Sequence, residues 1–281
     1  MKFFLKFLKY LFILVFVVIL WLSVFNLFQT PSLDRDWLET DKILSEINFD
    51  ENKVFIKNIR NFNHLWLEEY EKNYYDSEFD LEKVNSIYYI VEPFSDYDWP
   101  AHTMLSFGFS DWKYIVISAE LRKEIWESFD PLLWIANQYE IMYLIWDEND
   151  LIKLRANIRK DEVRMYPVKT TKEKMQKIFV SMLERADKLS KKPEFYNTIY
   201  KTCTTSILEH VNELRDWKDK ISVFDLKIFL PSNSDKIVYN EWLMNTKLDF
   251  EQARKYYKIN DLSMKYWEDK NYSEKIRKII K

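Results

Sequence analysis

The first part of the chain differs from the rest in how its apolar residues are spaced. From Tyr10 to Phe28 it reads YLFILVFVVILWLSVFNLF, which contains no charged residue and would be apolar on every side of a helix. A helix of this length, rising about 1.5 Å per residue, can cross a hydrocarbon core of about 30 Å. Three lysines precede the run: Lys2, Lys6 and Lys9. Because positive charge stays on the cytoplasmic side, the N-terminus is predicted to lie in the cytoplasm.

This pattern predicts a single-pass protein of the inner (cytoplasmic) membrane. Residues 1–9 form the cytoplasmic end, residues 10–29 the transmembrane anchor, and residues 30–281 one periplasmic or otherwise extracytoplasmic domain. A cleaved signal peptide is the alternative, but its apolar region would be shorter and an A-x-A site would follow. The end of the run carries instead Asn26, Gln29 and Thr30. No cysteine follows directly, so the chain is not itself a lipoprotein.

Beyond the anchor, apolar residues alternate with polar ones at the spacing of strands. The segment Ala101–Phe109, AHTMLSFGF, alternates as a half-buried strand does, and Ser110 and Asp111 mark a turn. Tyr114–Ser118, YIVIS, is the returning strand, so the pair is predicted to be an antiparallel hairpin. Further apolar segments predict strands at residues 54–56, 87–91, 141–146 and 163–166.

Other segments repeat their apolar residues at the spacing of a helix. Lys172–Leu189 and Thr204–Glu213 each place their apolar side chains on one side. Glu120–Phe129 and the aromatic, polar end at Phe250–Lys281 are also predicted to be helical. Strands early and in the middle of the chain, with helices around them, indicate the α+β class.

Composition excludes several functions. The 42 basic and 45 acidic side chains nearly balance, which argues against a nucleic-acid partner. The single glycine, Gly108, excludes glycine-rich phosphate loops. One cysteine and three scattered histidines exclude an internal disulfide and disfavour zinc sites, so neither a metal nor a cofactor is expected. A hydrophobic fraction of 47% is enough for a packed core.

The only cysteine lies where a thiol can be activated. Cys203 stands in YNTIYKTCTTSILEHV, where polar threonines precede an apolar helical pattern, so the thiol is predicted at a helix N-terminus. The helix dipole and free N–H groups there favour a thiolate and lower the thiol pKa from about 8.5. A nucleophilic cysteine needs a thiol pKa that is lowered in this way. The alternative is a buried cysteine that acts as a small apolar side chain.

A histidine and a carboxylate complete a candidate catalytic group. His102 opens the strand AHTMLSFGF and could project from the strand end towards the helix N-terminus, as general base and then general acid. If the hairpin pairs as predicted, Glu120 lies beside the His102 strand and could orient the imidazole. The alternatives are a core histidine with satisfied hydrogen bonds and an ordinary acid at a helix start.

Weaker candidates surround this group. Three polar side chains could stabilise an oxyanion or bind substrate: Tyr139, Asn197 and Tyr200. His64, in a polar and acidic segment, and His210, inside the helix, are not expected to be better partners for the thiol. The charged stretches at 147–150 and 153–159 are predicted to be a solvated turn and face rather than a metal site.

Six segments together resemble the Lnb amino-terminal periplasmic domain, a bacterial family. Each piece alone is weak, but the order of His, Glu, Asn and Cys-Thr-Thr is specific, and the match spans most of the chain after the anchor. The segments are NIRNF at Asn58–Phe62, AHTMLSF at Ala101–Phe107, ISAELRKE at Ile117–Glu124, QYEIMYLIWDENDLIKLR at Gln138–Arg155, YNTIYKTCTT at Tyr196–Thr205 and YSEKIRK at Tyr272–Lys278.

The resemblance implies a permuted papain-like (NlpC-type) fold, an antiparallel sheet packed with helices, in which the histidine precedes the cysteine. It implies His102 as base, Cys203 as nucleophile and Glu120 as the residue that orients the imidazole. Lnb-type members are lipoprotein N-acyltransferases, which move an acyl chain from a phospholipid to the amine of a lipoprotein's N-terminal cysteine. They carry more membrane-spanning segments than the single apolar run of this sequence, which puts the specific reaction in doubt more than the His–Cys pair.

The sequence leaves three functions open. The first is a membrane-anchored thiol acyltransferase with a phospholipid acyl donor and a lipoprotein acceptor. The second is a cysteine hydrolase of the same fold that cuts a peptide, an amide or a lipid ester. The third is a membrane-anchored module without catalysis. Four tryptophans could rest at the lipid interface, although most are expected in the core: Trp99, Trp112, Trp126 and Trp134.

Overall fold

A long helix, α1 (Lys2–Phe28), precedes the folded domain. The computed structural model describes residues 2–94, 100–127, 139–197, 201–223, 225, 228, 231–241 and 243–278; within α1, the side chains at 2, 3, 15, 19–23 and 25–27 are not described. Over these described residues, no helix reaches the combined length and apolarity of a membrane span.

One large sheet organises the domain. Its strands are β1 (Glu46–Asp50), β2 (Lys53–Arg60), β5 (Tyr74–Asp80), β6 (Val84–Pro93), β7 (Ala101–Phe109), β8 (Tyr114–Arg122), β9 (Glu140–Trp146) and β10 (Arg164–Pro167). Two short strands, β3 (Asn63–His64) and β4 (Tyr70–Glu71), form a separate pair. The order is β1-β2-β9-β8-β7-β6-β10, and β5 also pairs with β2. β2 and β9 pair in parallel, at Arg60 and Trp146, whereas the other neighbours in this sheet are antiparallel. The sheet is therefore mixed, and the expectation of a purely antiparallel sheet is wrong at this one pairing.

The predicted hairpin is confirmed, and its second strand is longer than predicted. β7 and β8 pair in antiparallel fashion, with Leu105 opposite Ile117. β8 continues to Arg122, so Glu120 lies inside a strand and pairs with Met142 of β9. The helix predicted from Glu120 is therefore wrong, because pairing with β9 outweighs the local preference of helix-forming residues. Residues 128 and 129 of that prediction lie outside the described residues.

The helices cover both faces of the sheet. They are α2 (Glu148–Lys153), α3 (Lys172–Lys191), α4 (Cys203–Glu213), α5 (Asp235–Asn240), α6 (Phe250–Tyr256), α7 (Asn260–Lys265) and α8 (Tyr272–Lys275), and a π-helical segment (Leu154–Arg159) follows α2. Side chains of α3 and α4 pack on the face that holds Leu105 and Phe107, while those of α2, α7 and α8 pack on the face of Met104 and Val116. Successive residues of β7 thus face two separate cores.

The C-terminal segment is broken into short helices rather than forming the single helix predicted. Between α6 and α7 the backbone leaves the helix to pair with β10. Met165 N donates to Tyr257 O at 2.9 Å, and Ile259 N donates to Val163 O at 3.0 Å. Residues 279–281 lie outside the described part.

Candidate active site

The hairpin places a histidine, a serine and a glutamate side by side. Continuing the register of Leu105 and Ile117 by three residues sets His102 across from Glu120. Nε2 of His102 lies 2.6 Å from Ser118 Oγ and 3.0 Å from Glu120 Oε1, and Ser118 Oγ donates to the same carboxylate oxygen at 2.8 Å. Because the carboxylate only accepts, Nε2 carries the hydrogen and Nδ1 is left for the thiol.

The helix α4 brings the thiol to this imidazole. Cys203 is its first residue, after the N-cap Thr202, and Thr202 and Thr205 form a capping box that fixes the helix start. The first turn contacts β7 on both sides of His102. Cys203 Sγ lies 4.0 Å from Ala101 O, and Thr204 Oγ1 lies 3.1 Å from Thr103 Oγ1. The side chains of His102 and Cys203 hydrogen-bond to one another.

The electrostatics favour a thiolate and an imidazolium. Burial alone raises the pKa of Cys203, but the facing His102 outweighs it and leaves that pKa below its ordinary value. Burial by itself lowers the pKa of His102. Glu120 and the Cys203 sulfur raise it by more than burial lowers it, so the pKa of His102 is about 10. Burial by itself raises the pKa of Glu120. The positive charges of His102 and Arg155 lower it by more, so the pKa of Glu120 lies well below the ordinary range. The pair therefore favours a nucleophilic thiolate beside an acidic imidazolium.

The pair opens into a cavity of about 290 Å³. His102, Glu120 and Cys203 all line it, together with Arg155 and Tyr196. The cavity can hold a substrate group beside the thiol, as an enzyme active site requires.

The matched family model covers residues 70–232, which include all three members of this group, and its description is the Lnb N-terminal periplasmic domain. The chain belongs to the Lnb N-terminal periplasmic domain family. No curated protein and no solved structure matches the chain. The family is a periplasmic one, in agreement with the extracytoplasmic domain expected from the sequence.

Arg155 is a member of the site that the sequence analysis missed. It donates through Nη2 to Glu120 Oε1 at 3.2 Å and through Nε to Glu92, which is fully buried and lies opposite His102 in β6. The stretch at 153–159 is therefore not the solvated face predicted. Its π-helical backbone packs against the sheet and buries Arg155 between two carboxylates.

A second buried carboxylate binds two side chains that line the cavity. Asp150 is fully buried and accepts hydrogen bonds from Arg60 Nε at 2.9 Å, from Phe62 N at 2.8 Å and from His64 Nε2 at 2.8 Å. Arg60 and His64 line the cavity. The 147–150 stretch is thus a buried anchor rather than the solvated turn expected, and His64 is buried as well.

The remaining histidine is also buried. His210 lies between helices and sheet, with Nδ1 2.7 Å from Ser181 Oγ and Nε2 3.1 Å from the Tyr143 hydroxyl. It does not line the cavity, so it remains a poorer partner for Cys203 than His102 is.

The weaker oxyanion candidates lie away from the cavity walls. Tyr139 is 1% exposed and packs in the core cluster on the α3 face. Asn197 accepts a backbone hydrogen bond from Lys201 N and is not among the residues that line the cavity. Tyr200 lies outside the described residues.

Tyr196 is a polar side chain of the cavity that the sequence analysis did not name as a candidate. It is buried, lines the cavity, and its hydroxyl faces the backbone N–H of Cys203. The signal was present in the sequence, since Tyr196 opens the segment YNTIYKTCTT that contains the cysteine.

Proposed function

We propose that this protein is a membrane-anchored, extracytoplasmic acyltransferase that carries an acyl chain on Cys203. The observation that carries the proposal is the Cys203 thiol facing the His102 side chain, whose Nε2 is held by Glu120 at 3.0 Å beside a cavity. This arrangement has a nucleophile, a proton carrier and an orienting carboxylate in contact, which is what acyl transfer through a thiol needs.

In the first half-reaction, the Cys203 thiolate attacks the carbonyl carbon of an ester. The tetrahedral intermediate collapses, the ester C–O bond breaks, and the His102 imidazolium gives its Nδ1 proton to the departing alcohol. A thioester on Cys203 remains. In the second half-reaction, an amine attacks the thioester, His102 accepts its proton, and the thiolate leaves as the amide forms. Ester and amine are thereby converted into alcohol and amide.

The oxyanion of each intermediate needs donors near the helix start. The backbone N–H of Cys203 belongs to the first turn of α4, where N–H groups have no partner within the helix. It faces the Tyr196 hydroxyl, which can rotate to donate to the same oxygen. We assign this pair as the oxyanion site, because donors set where charge develops stabilise it most.

Phospholipid is the proposed acyl donor, and the N-terminal amine of a lipoprotein is the proposed acceptor. The uncharged run from Tyr10 to Phe28 is proposed to anchor the domain beside that lipid. Trp112 and Trp126 are 65% and 68% exposed, rather than in the core, and suit an interface with lipid headgroups. Trp99 and Trp134 lie outside the described residues.

The test is the intact mass of the full chain in detergent after incubation with phospholipid. We expect an acyl-sized gain on the unaltered protein and none on Cys203→Ser. His102→Gln should slow the gain at least 100-fold, given the contribution of general acid–base catalysis. His210→Gln, which alters another buried histidine, should leave it within about threefold.

Addition of a diacylated lipopeptide separates the two enzymatic functions. Transfer of the acyl mass to the peptide amine supports the acyltransferase. Release of free fatty acid at the same rate with and without the peptide indicates the hydrolase instead. If no adduct forms and Cys203 also resists thiol reagents in the folded protein, both enzymatic proposals are wrong and the non-catalytic module remains.

A further inference from the structure

An apolar slot of about 70 Å³ lies beneath the helix that carries Cys203. Strands β6 and β7 form its floor, and helices α3, α4 and α5 form its walls. The residues that define it include Ile87, Leu105, Ile207, Leu208, Val211 and Val238. It lies on the α3 and α4 face of the sheet, whereas the polar cavity lies mainly on the other face.

The slot continues from the position of the thiol. Cys203, Ile207 and Val211 are spaced by four residues, so they share one face of α4. Thr204, the residue after Cys203, already lines the slot, which follows the helix axis to Val211, roughly 12 Å beyond Cys203. Thr204 contributes to its wall, and Ile228 lines both the slot and the cavity.

The polar groups of the slot are already paired with protein. The Tyr89 hydroxyl donates to Ser234 Oγ at 2.8 Å, and Ser234 Oγ donates to Pro231 O at 2.6 Å. The Thr204 hydroxyl pairs with Thr103 at 3.1 Å. No charged side chain is among the described residues that line it. A polar ligand would gain nothing here, while an apolar chain would leave water.

The cavity on the other side of the thiol differs from the slot because charged side chains stand among its apolar ones. Arg155, Arg159, Lys123 and Glu92 line it. The thiol thus stands between a charged cavity and an apolar slot. A substrate with a polar end and an apolar chain, joined by an ester, matches both surfaces when its carbonyl lies at Sγ.

We propose that this slot holds the first part of the acyl chain of the Cys203 thioester. The proposal rests on the acyl-transfer function proposed above. The slot has room for about five methylene-sized groups, judged by the volume that a water molecule requires. It therefore binds the carbonyl-proximal methylenes, and the remainder of a long chain lies outside it.

The test compares p-nitrophenyl esters from acetyl to octanoyl, below their micelle concentrations, on the full chain. Acylation of Cys203 is measured by p-nitrophenol release and intact mass. Because a buried methylene is worth about a fourfold change in equilibrium, the rate should rise by up to fourfold per methylene and level off after about five.

Val238→Phe tests the slot from its α5 wall, where the valine is only partly buried. The larger ring should fill the slot, so the ratio of octanoyl to acetyl rates falls at least tenfold while the acetyl rate stays within twofold. Leu262→Phe enlarges a partly buried side chain of α7 on the opposite face and should leave the ratio unchanged.

The outcomes distinguish the slot proposal from the acyl-transfer proposal on which it rests. Thioesters that form with the same chain-length profile in both proteins overturn the slot and leave acyl transfer standing. Equal loss of both rates in Val238→Phe also overturns it, because the damage is then general. A preference for a branched N-acetyl-leucine ester over the linear esters, lost in Val238→Phe, identifies a peptide side chain as the occupant and overturns the proposal. No thioester from any ester in the unaltered protein overturns both proposals.

Discussion

Replacing Glu120 with glutamine tests how the thiol is activated. Glu120 Oε1 lies 3.0 Å from His102 Nε2, and this contact helps to keep the imidazole protonated. A hydrogen bond to a charged group contributes about 1.5–3 kcal/mol, and one pKa unit corresponds to about 1.4 kcal/mol. Glu120→Gln should therefore lower the pKa of His102 by about one to two units. The thiolate–imidazolium form of the pair then loses about the same stabilisation relative to the neutral thiol and imidazole.

The assay is the rate of Cys203 alkylation by iodoacetamide from pH 5 to 9.5, followed by intact mass. In the unaltered protein the pKa of Cys203 is below its ordinary value, so the acid limb of the profile should lie below that of a free thiol. In Glu120→Gln a larger share of the pair is neutral thiol and imidazole, so alkylation on the plateau above the acid limb should slow. The expected decrease is about ten- to a hundredfold, since one unit is a factor of ten.

Glu148→Gln is a closely matched control. Glu148 is fully buried, whereas the Glu120 side chain is 20% exposed, and both accept hydrogen bonds from a serine of the hairpin and an arginine; for Glu148 these are Ser106 and Arg277. It does not contact His102, so this variant should leave the plateau rate unchanged. If the plateau rate is unchanged in a folded Glu120→Gln protein, or falls equally in both variants, then Glu120 does not set the charge of the pair.

Two further predictions concern stability. Arg155→Met leaves Glu92 and Glu120 without their cation and should lower the free energy of unfolding in urea by about 3–5 kcal/mol. Adding Glu92→Gln to this variant should restore part of that loss. A loss below about 1 kcal/mol in Arg155→Met would show that the ion pair is solvated. Burial lowers the pKa of His210 to about 4, so its contribution is full above pH 6.5 and is lost as the pH falls towards 4. Between pH 7 and pH 5 the unaltered protein should lose about 2 kcal/mol of its free energy of unfolding through this group. In His210→Gln, thermal unfolding curves over the same pH range should lack this part of the loss.

The hairpin and the helix start could be predicted because their signals are local. Alternation along AHTMLSFGF fixes the strand that carries His102, and polar threonines before an apolar helical pattern fix the helix start at Cys203. Register then follows from the short turn between β7 and β8, so the position of Glu120 beside His102 is accessible from sequence.

The buried charges could not be predicted in the same way. Arg155 lies in a run of basic residues whose pattern is typical of a solvated face, and it is buried only because Glu92 and Glu120 arrive from two strands distant in sequence. The same holds for Asp150, whose partner Arg60 is 90 residues away. The partners of a buried ion pair leave no periodic signal in either segment.

Edge strands were missed for a related reason. β1 (EINFD) alternates over only five residues and buries none of them, and β5 buries only Phe79, so each carries a weak strand signal. Both form because β2, which buries Val54, Ile56 and Ile59, offers its backbone hydrogen bonds to them. Their structure depends on a neighbour rather than on their own sequence.

The two proposals together determine the order of the reaction. With the acyl chain in the slot, the alcohol part of the donor ester occupies the charged cavity beside His102. An amine acceptor must approach the thioester from this same cavity, because the slot is filled by the chain. The alcohol therefore has to leave before the acceptor binds, which is a ping-pong sequence. Donor headgroup and acceptor should then compete for the free enzyme, so excess acceptor should slow the first half-reaction.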